Sequence, residues 1–390
     1  MKVLGARLTG FRNLADTEIE FSPGVNLVLG RNGQGKTNLL EALNFPALGR
    51  SHRGARAEDL IRFGDDHLHV HLDVEDDEGR ARTFEYGLDR DGARRFRLDG
   101  DLVERRTDLV GRLATVFFWP QTVDLVRGGP DLRRRFADQG LSGLDPAYLS
   151  ALASYQRALR QKSTLLKDLR RGHRRRDEAA DELAAWNREL ARHAVPVGLG
   201  RQDWSDLLEP WATAIYADLA DDPAPLSFRY RPRLKSLVAR AESAAGESGG
   251  NTAETGELAG DILAEFDYIG PDEARRGRPL TGVQFDDFEV RLGELDLRSF
   301  GSQGETRTAA VSLILAQSDA MVARRRVRPV LFFDDIFSEL DRDRARRLQQ
   351  RCARDHQIFI ATARADDVAG WRPDMIRQWR VEDGRLTPLP

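Results

Sequence analysis

The residues Gly30–Thr37 combine glycine, lysine and threonine at a spacing that can bind phosphate. They read Gly-Arg-Asn-Gly-Gln-Gly-Lys-Thr and fit the pattern G-x-x-x-x-G-K-[ST]. The glycines let the backbone curl so that several N–H groups converge on phosphate oxygens, and a helix N-terminus adds partial positive charge. Lys36 can reach the β- and γ-phosphates, and the Thr37 hydroxyl can ligate Mg²⁺. The pattern predicts a site for a nucleoside triphosphate with Mg²⁺.

The segments on either side of this loop fit that interpretation. Val25–Leu29 is apolar and predicts a buried strand, and Asn38–Leu43 predicts the start of a helix. Many glycine-rich turns before helices bind nothing, but lysine is scarce in this chain, with five among 60 lysine and arginine residues. The strand–loop–helix context and the rarity of lysine therefore favour phosphate binding.

Two neighbouring carboxylates later in the chain could complete such a site. Val330–Phe333 predicts a buried strand that ends at Asp334 and Asp335. Asp334 could hold the metal, directly or through water, and Asp335 could polarise the attacking water. Taken alone, the pair could instead cap the next turn. Thr362 ends another apolar strand, Ile358–Ala361, where a γ-phosphate sensor is expected.

A third short motif, Ser302-Gln303-Gly304-Glu305, lies between the loop and the carboxylates. It leads into a predicted helix over Thr306–Asp319. A serine and a glycine at a helix N-terminus can form a second anion-binding nest. As a bare motif it is weak, because Ser-x-Gly turns cap many helices. The order of the three motifs is more informative than this one alone.

Composition limits the classes of protein that the sequence allows. The chain has 390 residues, 41% hydrophobic and 32% charged, which indicates a charge-rich globular protein of two or three structural units. We find no apolar run near the ~18 residues of a membrane helix, no signal-peptide pattern and a single cysteine, Cys352, so we expect a cytoplasmic protein with no membrane partner. The net charge of −3 gives no global sign of a nucleic-acid partner.

Strand patterns and helix patterns divide the chain. A hairpin and an antiparallel meander are predicted from alternating stretches at Val3–Leu8, Thr17–Phe21, Leu68–Val74, Thr83–Leu88 and Arg95–Leu98. A further apolar strand, Ala114–Phe118, is followed by a helical pattern from Asp131 to about Asp218. Strands return at Phe285–Leu292.

The helical region predicts a short helical hairpin. Its two apolar-periodic arms flank the basic run Arg170–Arg176, and Pro196 is predicted to break or kink the second arm. Residues 241–260 are rich in Gly, Ser and Glu without periodicity and predict a flexible loop.

The order of the motifs resembles that of ATPases of the ABC superfamily. About 265 residues separate Lys36 from Ser302, which is similar to the SMC-like branch, where an insertion divides the ATPase head. Within that branch the chain resembles the RecF family of bacterial recombination mediators. The matching stretches are Gly10–Leu14, Gly30–Ala42, Gly49–Arg53, Gly128–Asp138, Ser302–Glu305 and Asp334–Asp341. The chain departs from the family's usual pattern at Gly282–Asp287, at Glu305, where the family usually has glutamine, and at Ala361–Ala363.

The resemblance implies the fold and the domain boundaries. We expect an α/β protein with an ABC-type, SMC-like P-loop ATPase head, an antiparallel β-meander and an inserted helical lobe with a short helical hairpin. The expected boundaries are 1–122 for the N-terminal part of the head, 123–270 for the helical lobe and 271–390 for the C-terminal part of the head.

The resemblance also implies the function and its cofactors, ATP and Mg²⁺. We expect slow, DNA-dependent hydrolysis of ATP to ADP and phosphate by a dimer that holds two ATP molecules on double-stranded DNA or at single-strand/double-strand junctions. The protein would act in recombinational repair and replication-gap processing, helping to load RecA, with RecR and RecO as partners. A diverged SMC-like ATPase, or an ATP-binding DNA scaffold without significant hydrolysis, is the alternative.

The same resemblance assigns roles to individual residues. Lys36, Asp334 and Asp335 are expected to be catalytic, with Thr37 and Asp334 on the metal. The expected nucleotide contacts are Gly30, Arg31, Asn32, Gly33, Gln34, Gly35, Lys36, Thr37, Asn38, Arg12, Asn13 and Gln121, together with Ser302 and Gly304 from the partner head. The candidates for DNA binding are Arg50, Arg53, Arg56, Arg133, Arg134, Arg135, Arg174 and Arg175. Arginine is the common cation of this chain, however, so such clusters could also be solvated surface.

Overall fold

The computed structural model describes residues 1–49, 51, 53–56, 58–243, 252–352, 356–368, 371 and 376–389. They form two compact units. The first unit comprises Met1–Val123, Trp211–Pro225 and Gly301–Pro390, and the second comprises Asp124–Pro210 and Leu226–Phe300. The boundary expected at residue 270 therefore differs from the division in the structure, where the second unit continues to Phe300.

Fifteen strands and ten helices are present in the described part of the chain. The strands are β1 (Lys2–Thr9), β2 (Thr17–Glu20), β3 (Val25–Leu29), β4 (His67–Glu75), β5 (Ala81–Asp89), β6 (Arg94–Leu98), β7 (Asp101–Val103), β8 (Thr115–Phe118), β9 (Leu226–Arg231), β10 (Asp287–Leu292), β11 (Leu295–Asp296), β12 (Val330–Asp334), β13 (Ile358–Thr362), β14 (Ile376–Glu382) and β15 (Arg385–Pro388). The helices are α1 (Lys36–Leu48), α2 (Asp124–Arg127), α3 (Pro130–Leu144), α4 (Pro146–Arg170), α5 (Arg176–Ala220), α6 (Lys235–Ser243), α7 (Thr252–Arg276), α8 (Leu297–Phe300), α9 (Gln303–Arg325) and α10 (Arg342–Cys352).

A six-stranded sheet in the first unit positions the phosphate loop and the two carboxylates. Its order is β15-β14-β3-β13-β12-β8, and all pairs are parallel except β14 with β15. β12 and β13 are buried along their whole length and β3 along most of it, which is typical of parallel strands covered on both faces. Since β3 and β12 run in the same direction, the loop after β3 and the carboxylates ending β12 lie at the same edge of the sheet.

An antiparallel sheet, ordered β2-β1-β4-β5-β6-β7, forms the rest of the first unit's strand structure. It contains the predicted hairpin and the predicted meander, both of which are confirmed. Burial alternates along β4, where Leu68, Val70, Leu72 and Val74 point into the core. These residues share one hydrophobic cluster with the parallel sheet and with the apolar side chains of α1. The loop that precedes α1 is thus anchored in the main core of its unit.

The second unit is mostly helical, with a small sheet ordered β11-β10-β9. The helices α4 and α5 are joined by the basic segment Arg171–Arg175, as the sequence predicted. Both arms contact α7: Lys162 pairs with Glu273 in the interior, and Asn187 donates to Asp267 at 2.8 Å. The strand β9 was not predicted, because it is a single strand between long helical patterns.

Two predictions for the helical region differ from the structure. Pro196 was predicted to break or kink the second arm; the break is wrong, because α5 is continuous through Pro196 to Ala220, and the kink stays a prediction. Proline removes one backbone hydrogen bond, but the flanking Val195 and Val197 are buried, and burial of apolar side chains stabilises the helix. Within the supposed loop 241–260, residues 241–243 end α6 and residues 252–260 begin α7, while 244–251 lie outside the described residues.

None of the described helices has the length and apolarity needed to span a lipid bilayer.

Candidate nucleotide-binding site

The phosphate loop connects the end of β3 to the start of α1. Gly33 and Gly35 have φ values of 83° and 119°, which side-chain-bearing residues rarely adopt, so glycine is required at both positions. Gly35 is the N-cap of α1 and provides no side-chain acceptor for the first-turn N–H groups. Those N–H groups are therefore left to bind an anion at the positive end of the helix.

Lys36 is buried beneath the loop, with 5% of its surface exposed. Its ammonium donates to the carbonyl oxygens of Gly30 at 2.8 Å and Arg31 at 3.2 Å, and to Oδ1 of Asn32 at 3.4 Å. Burial lowers the pKa of the Lys36 ammonium, while the charges of Asp335 and Asp334 act in the opposite direction. A buried ammonium held by three neutral oxygens is suited to an anionic partner.

Thr37 and Asp334 meet at the edge of the parallel sheet. The Thr37 hydroxyl donates to Oδ1 of Asp334 at 3.0 Å. Burial raises the pKa of the Asp334 carboxyl to about 6, and the neighbouring Asp335 adds to the shift, whereas the hydrogen bond from Thr37 opposes it. A hydroxyl and a poorly compensated buried carboxylate are hard oxygen donors, so this pair fits Mg²⁺.

Asp335 begins the turn after β12 in an unusual backbone conformation. Its φ is 54°, and its N–H donates to the carbonyl of Ala361 at 2.8 Å, while its own carbonyl accepts from the Ser338 hydroxyl. These backbone contacts fix the residue at the sheet edge next to Asp334, and its charge acts on Lys36. Its role toward the attacking water stays a prediction.

Asn13 contacts the loop and Arg12 contacts the helix that follows it. Asn13 donates to the carbonyl of Gly33 at 3.3 Å and accepts from the Asn38 amide at 2.7 Å. Arg12 donates through Nε to Glu41 at 2.6 Å.

Glu41 is a site residue that the sequence did not reveal. It lies on α1, is 0% exposed, and accepts from Arg12 and Ser51 while Arg53 is 3.8 Å away. Its buried carboxylate therefore orients two arginines next to the phosphate loop. A carboxylate inside the apolar run Leu39–Leu43 was the only signal of this role.

Ser302 and Gly304 begin the long helix α9 and form a second group of residues. Ser302 is the N-cap: its hydroxyl accepts from the Glu305 N–H at 3.2 Å, and its own N–H donates to the Glu305 carboxylate at 2.7 Å. This capping box gives Glu305 a structural role, and the hydrogen bonds from Ser302 lower the pKa of its carboxyl. The guanidinium of Arg344 lies against Gly304.

Gln121 and Thr362 were also expected to contact or sense the nucleotide. Gln121 is exposed in the turn after β8, the neighbour of β12, and its role toward the nucleotide is still a prediction. The Thr362 hydroxyl is buried, donates to the carboxylate of Asp367 and accepts from the Arg364 N–H at 3.2 Å. It is therefore committed within its own loop, which argues against its expected role as a phosphate sensor.

The arginine run Arg133–Arg135 is only partly available to a nucleic acid. Arg133 is 1% exposed and donates to both carboxylate oxygens of Asp287, at 2.8 and 3.1 Å, so its assignment to DNA binding was wrong. Arg134 is half-buried and donates to the carbonyl of Asp286 and to Asp131. Arg135 is exposed.

The remaining basic candidates fall into two groups. Arg53 and Arg56 are exposed, and Arg53 donates to Oδ1 of Asn38 at 3.1 Å. Arg174 and Arg175, at the tip between α4 and α5, are exposed but pair with Glu182 and Asp177 at 3.1 and 3.0 Å. Such exposed pairs are weak and can rearrange. Arg50 lies outside the described residues.

The departing segment Gly282–Asp287 takes part in a buried polar network. Asp286 is 0% exposed and accepts from Arg201 at 3.0 Å, from the Tyr230 hydroxyl and from the Arg233 N–H at 2.9 Å. Gln284 accepts from the Tyr155 hydroxyl. The substitutions in this chain thus have local partners, and the segment holds the helices of the second unit to β9 and β10.

Comparison with known proteins agrees with this arrangement. Residues 3–383 match the family model described as the RecF/RecN/SMC N-terminal domain. The chain is 34% identical over 372 residues to the DNA replication and repair protein RecF of Streptomyces avermitilis, covering 95% of each chain. It is 31% identical over 386 residues to the protein of the same name from Staphylococcus aureus, covering 99% of this chain and all of the other.

Solved structures show the same fold. A structure of the recombination mediator protein RecF with ATP, from the RecFOR pathway, superposes with a TM-score of 0.87 at 24% identity and covers all of this chain and 98% of the other. An Smc head bound to the C-terminal winged-helix domain of ScpA matches with a TM-score of 0.56 at 15% identity, again over 100% and 98% of the two chains. The expected ABC-type, SMC-like fold is confirmed. The extent and identity of the sequence matches show that the chain belongs to the RecF family.

Proposed function

We propose that this protein binds and hydrolyses ATP with Mg²⁺ and uses that cycle to act on double-stranded DNA in replication and repair. The observation that carries the proposal is the 3.0 Å contact between the Thr37 hydroxyl and Asp334 beside the buried Lys36. These three groups supply a hydroxyl, a carboxylate and an ammonium at the edge of one parallel sheet. That is the set of functional groups that phosphoryl transfer from a nucleoside triphosphate requires.

Each group has a distinct task in this mechanism. The N–H groups of Gly33–Thr37 bind the phosphate oxygens, and Lys36 exchanges its loop acceptors for the β- and γ-phosphates. Thr37 and Asp334 would hold Mg²⁺, which neutralises charge on the phosphates when bound. Asp335 orients and polarises the attacking water. The family assignment and the sheet-edge position of these residues support the proposal.

Dimerisation supplies the second half of each nucleotide site in this proposal. Ser302 and Gly304 of one protomer would contact the γ-phosphate bound to the loop of the other. The N-terminus of α9 supports this, because it is a 23-residue helix whose first residues, Gln303 and Gly304, are exposed or half-buried. Hydrolysis removes the phosphate that both protomers share, which lets the dimer separate.

Double-stranded DNA is the proposed nucleic-acid partner, including its junctions with single strands. The relatives are named DNA replication and repair proteins, and one structural relative is described as a recombination mediator of the RecFOR pathway. The exposed arginines Arg53, Arg56 and Arg135 can contact phosphates. We propose that RecO and RecR are partners, that loading of RecA is the outcome, and that ATP turnover is slow because it times a clamp.

ATP turnover across a dilution series of the protein, with and without double-stranded DNA, tests this function. The Lys36→Ala variant is the control for contaminating ATPases, because it removes the ammonium that contacts the phosphates. We expect turnover per molecule to rise with protein concentration and with DNA in the wild type and to be absent in the variant. Turnover that is flat and indifferent to DNA would reject the DNA-coupled dimer, and equal turnover by the variant would reject the site itself.

A further inference from the structure

The turn between β14 and β15 is bonded to the phosphate loop. The N–H of Asp383 donates to the side-chain Oε1 of Gln34 at 2.6 Å, and the N–H of Gly384 donates to the Gln34 carbonyl at 3.1 Å. The carbonyl of Gly384 accepts from the N–H of Ala15 at 2.9 Å. Hairpin turns normally leave such groups to water, whereas this turn commits all three to two other segments of the chain.

The contact is so close that two positions admit only glycine. A Cβ on Gly384 would lie 1.9 Å from the carbonyl oxygen of Asn13, and the φ of Gly384 is 75°. A Cβ on Gly30, the first residue of the phosphate loop, would lie 2.5 Å from the carbonyl oxygen of Val381 on β14. The backbones of the loop and of the hairpin therefore pack directly against each other.

The segment around Asn13 contacts both the hairpin turn and the phosphate loop. It meets the turn through Ala15 and Asn13, and it meets the phosphate loop through the Asn13 amide, which donates to the Gly33 carbonyl. The hairpin is far from the phosphate loop in sequence, since Gln34 and Asp383 are separated by 349 positions. The glycines of the phosphate loop permit its conformation, and these contacts hold the loop in it from outside.

We infer that Gln34 and Gly384 are positioning residues through which the C-terminal hairpin holds the phosphate loop in its anion-binding conformation. Gln34 was expected to contact the nucleotide, but its side-chain oxygen accepts from the hairpin. Holding a loop of three glycines removes conformational freedom that ligand binding would otherwise have to remove, so it strengthens binding. This inference rests on the proposed binding of ATP.

Two glycine variants with matched backbone strain test the inference. Gly384→Ala and Gly79→Ala both place alanine at nearly equal φ, 75° and 76°, in hairpin turns of the first unit. Only Gly384→Ala creates the collision, because nothing lies within 4 Å of a Cβ on Gly79. We expect Gly384→Ala to weaken the binding of MgATP, measured by titration calorimetry, by about tenfold or more, and Gly79→Ala to bind like the wild type.

A second variant covers the case in which Gly384→Ala does not fold. Gln34→Leu removes the acceptor of the Asp383 N–H without adding a backbone collision, and we expect a smaller loss of affinity in the same direction. The rise in melting temperature caused by saturating MgATP should shrink in this variant even where its melting temperature without nucleotide is unchanged. If the wild type, Gly384→Ala and Gln34→Leu bind MgATP equally, the inference is wrong and the proposed function stands. If the wild type does not bind MgATP, the proposed function is rejected first.

Discussion

Thr37 and Asp334 are 297 residues apart in sequence, yet their side-chain oxygens lie 3.0 Å from each other. The parallel alignment of β3, β13 and β12 brings them together, because all three strands end at one edge of the sheet. Asp334 is 5% exposed, and its carboxyl has a pKa of about 6 in the absence of a metal. The residue proposed to hold Mg²⁺ is therefore also one whose negative charge destabilises the metal-free fold.

Replacing Asp334 by Asn should make the metal-free protein more stable while abolishing ATP turnover. The amide keeps an acceptor for the Thr37 hydroxyl but removes the buried charge, so we expect the free energy of unfolding at pH 7 to rise by about 3 kcal/mol. Thermal and urea unfolding in the presence of EDTA measure the gain. A variant that is less stable than the wild type would show that the charge of Asp334 is compensated in the fold.

The stability gain of Asp334→Asn should increase with pH. The pKa of Asp334 is raised from 3.8 to about 6 in the folded protein, so between these values the native state binds more protons than the unfolded state. The contribution of Asp334 to stability therefore falls as pH rises through this window. We expect the stability difference between Asp334→Asn and the wild type to vanish near pH 4 and to reach its full value above pH 6.

The sequence was sufficient to predict the elements with strong local patterns. The phosphate loop, the apolar strands β3, β12 and β13 and the meander have characteristic spacing and periodicity, and each was found where expected. The hairpin β14–β15 was not predicted, although Asp383-Gly384 at its turn is a local hairpin signal. No local pattern, however, encodes the contacts of this turn with Gln34 and Asn13.

Arginine was harder to interpret than any other residue. Arg133 was assigned to DNA because it lies in a run of three arginines. Its position on α3, however, shares a helical face with Ala137 and Leu141, at spacings of four, and all three are buried. Helical periodicity in the sequence thus contained the signal that Arg133 faces inward, but the charge of the run concealed it.

Two substitutions at Glu305 test whether glutamate in place of the family's usual glutamine affects the stability of the fold. Glutamine can also accept from the Ser302 N–H, so Glu305→Gln should change the free energy of unfolding little. Glu305→Ala removes the reciprocal half of the capping box and should destabilise the protein by about 1 kcal/mol. Denaturant unfolding of the two variants measures both values. Equal losses in the two variants would mean that the charge, rather than the hydrogen bond, stabilises the start of α9.

A substitution at Ser302 tests whether the nucleotide site is shared between two protomers. Replacing Ser302 by Arg places a long cation at the N-terminus of α9, which should prevent a second protomer from reaching it with bound nucleotide. We expect light scattering to show ATP-dependent dimers for the wild type and monomers for Ser302→Arg. Thr164→Arg adds the same side chain to an exposed position on α4 and should still dimerise. Dimers of Ser302→Arg in ATP would reject a role for Ser302 across the interface.

Alanine variants of Arg133 and Arg135 distinguish a structural arginine from one that is available to DNA. Arg133→Ala leaves Asp287 without its bidentate partner and the carbonyl of Gly128 without its 2.7 Å donor, so we expect a loss of about 3 kcal/mol in stability. Arg135→Ala should leave stability unchanged.

The salt dependence of DNA binding should change in Arg135→Ala and stay unchanged in Arg133→Ala. If Arg135 contacts a phosphate, Arg135→Ala weakens binding to double-stranded DNA and lowers the slope of log affinity against log salt concentration by about one. Fluorescence anisotropy at several salt concentrations measures this slope. Under conditions where Arg133→Ala is still folded, its slope should equal that of the wild type, because a guanidinium that is 1% exposed cannot release counterions from DNA. A reduced slope for Arg133→Ala with an unchanged slope for Arg135→Ala would return Arg133 to the DNA-binding surface.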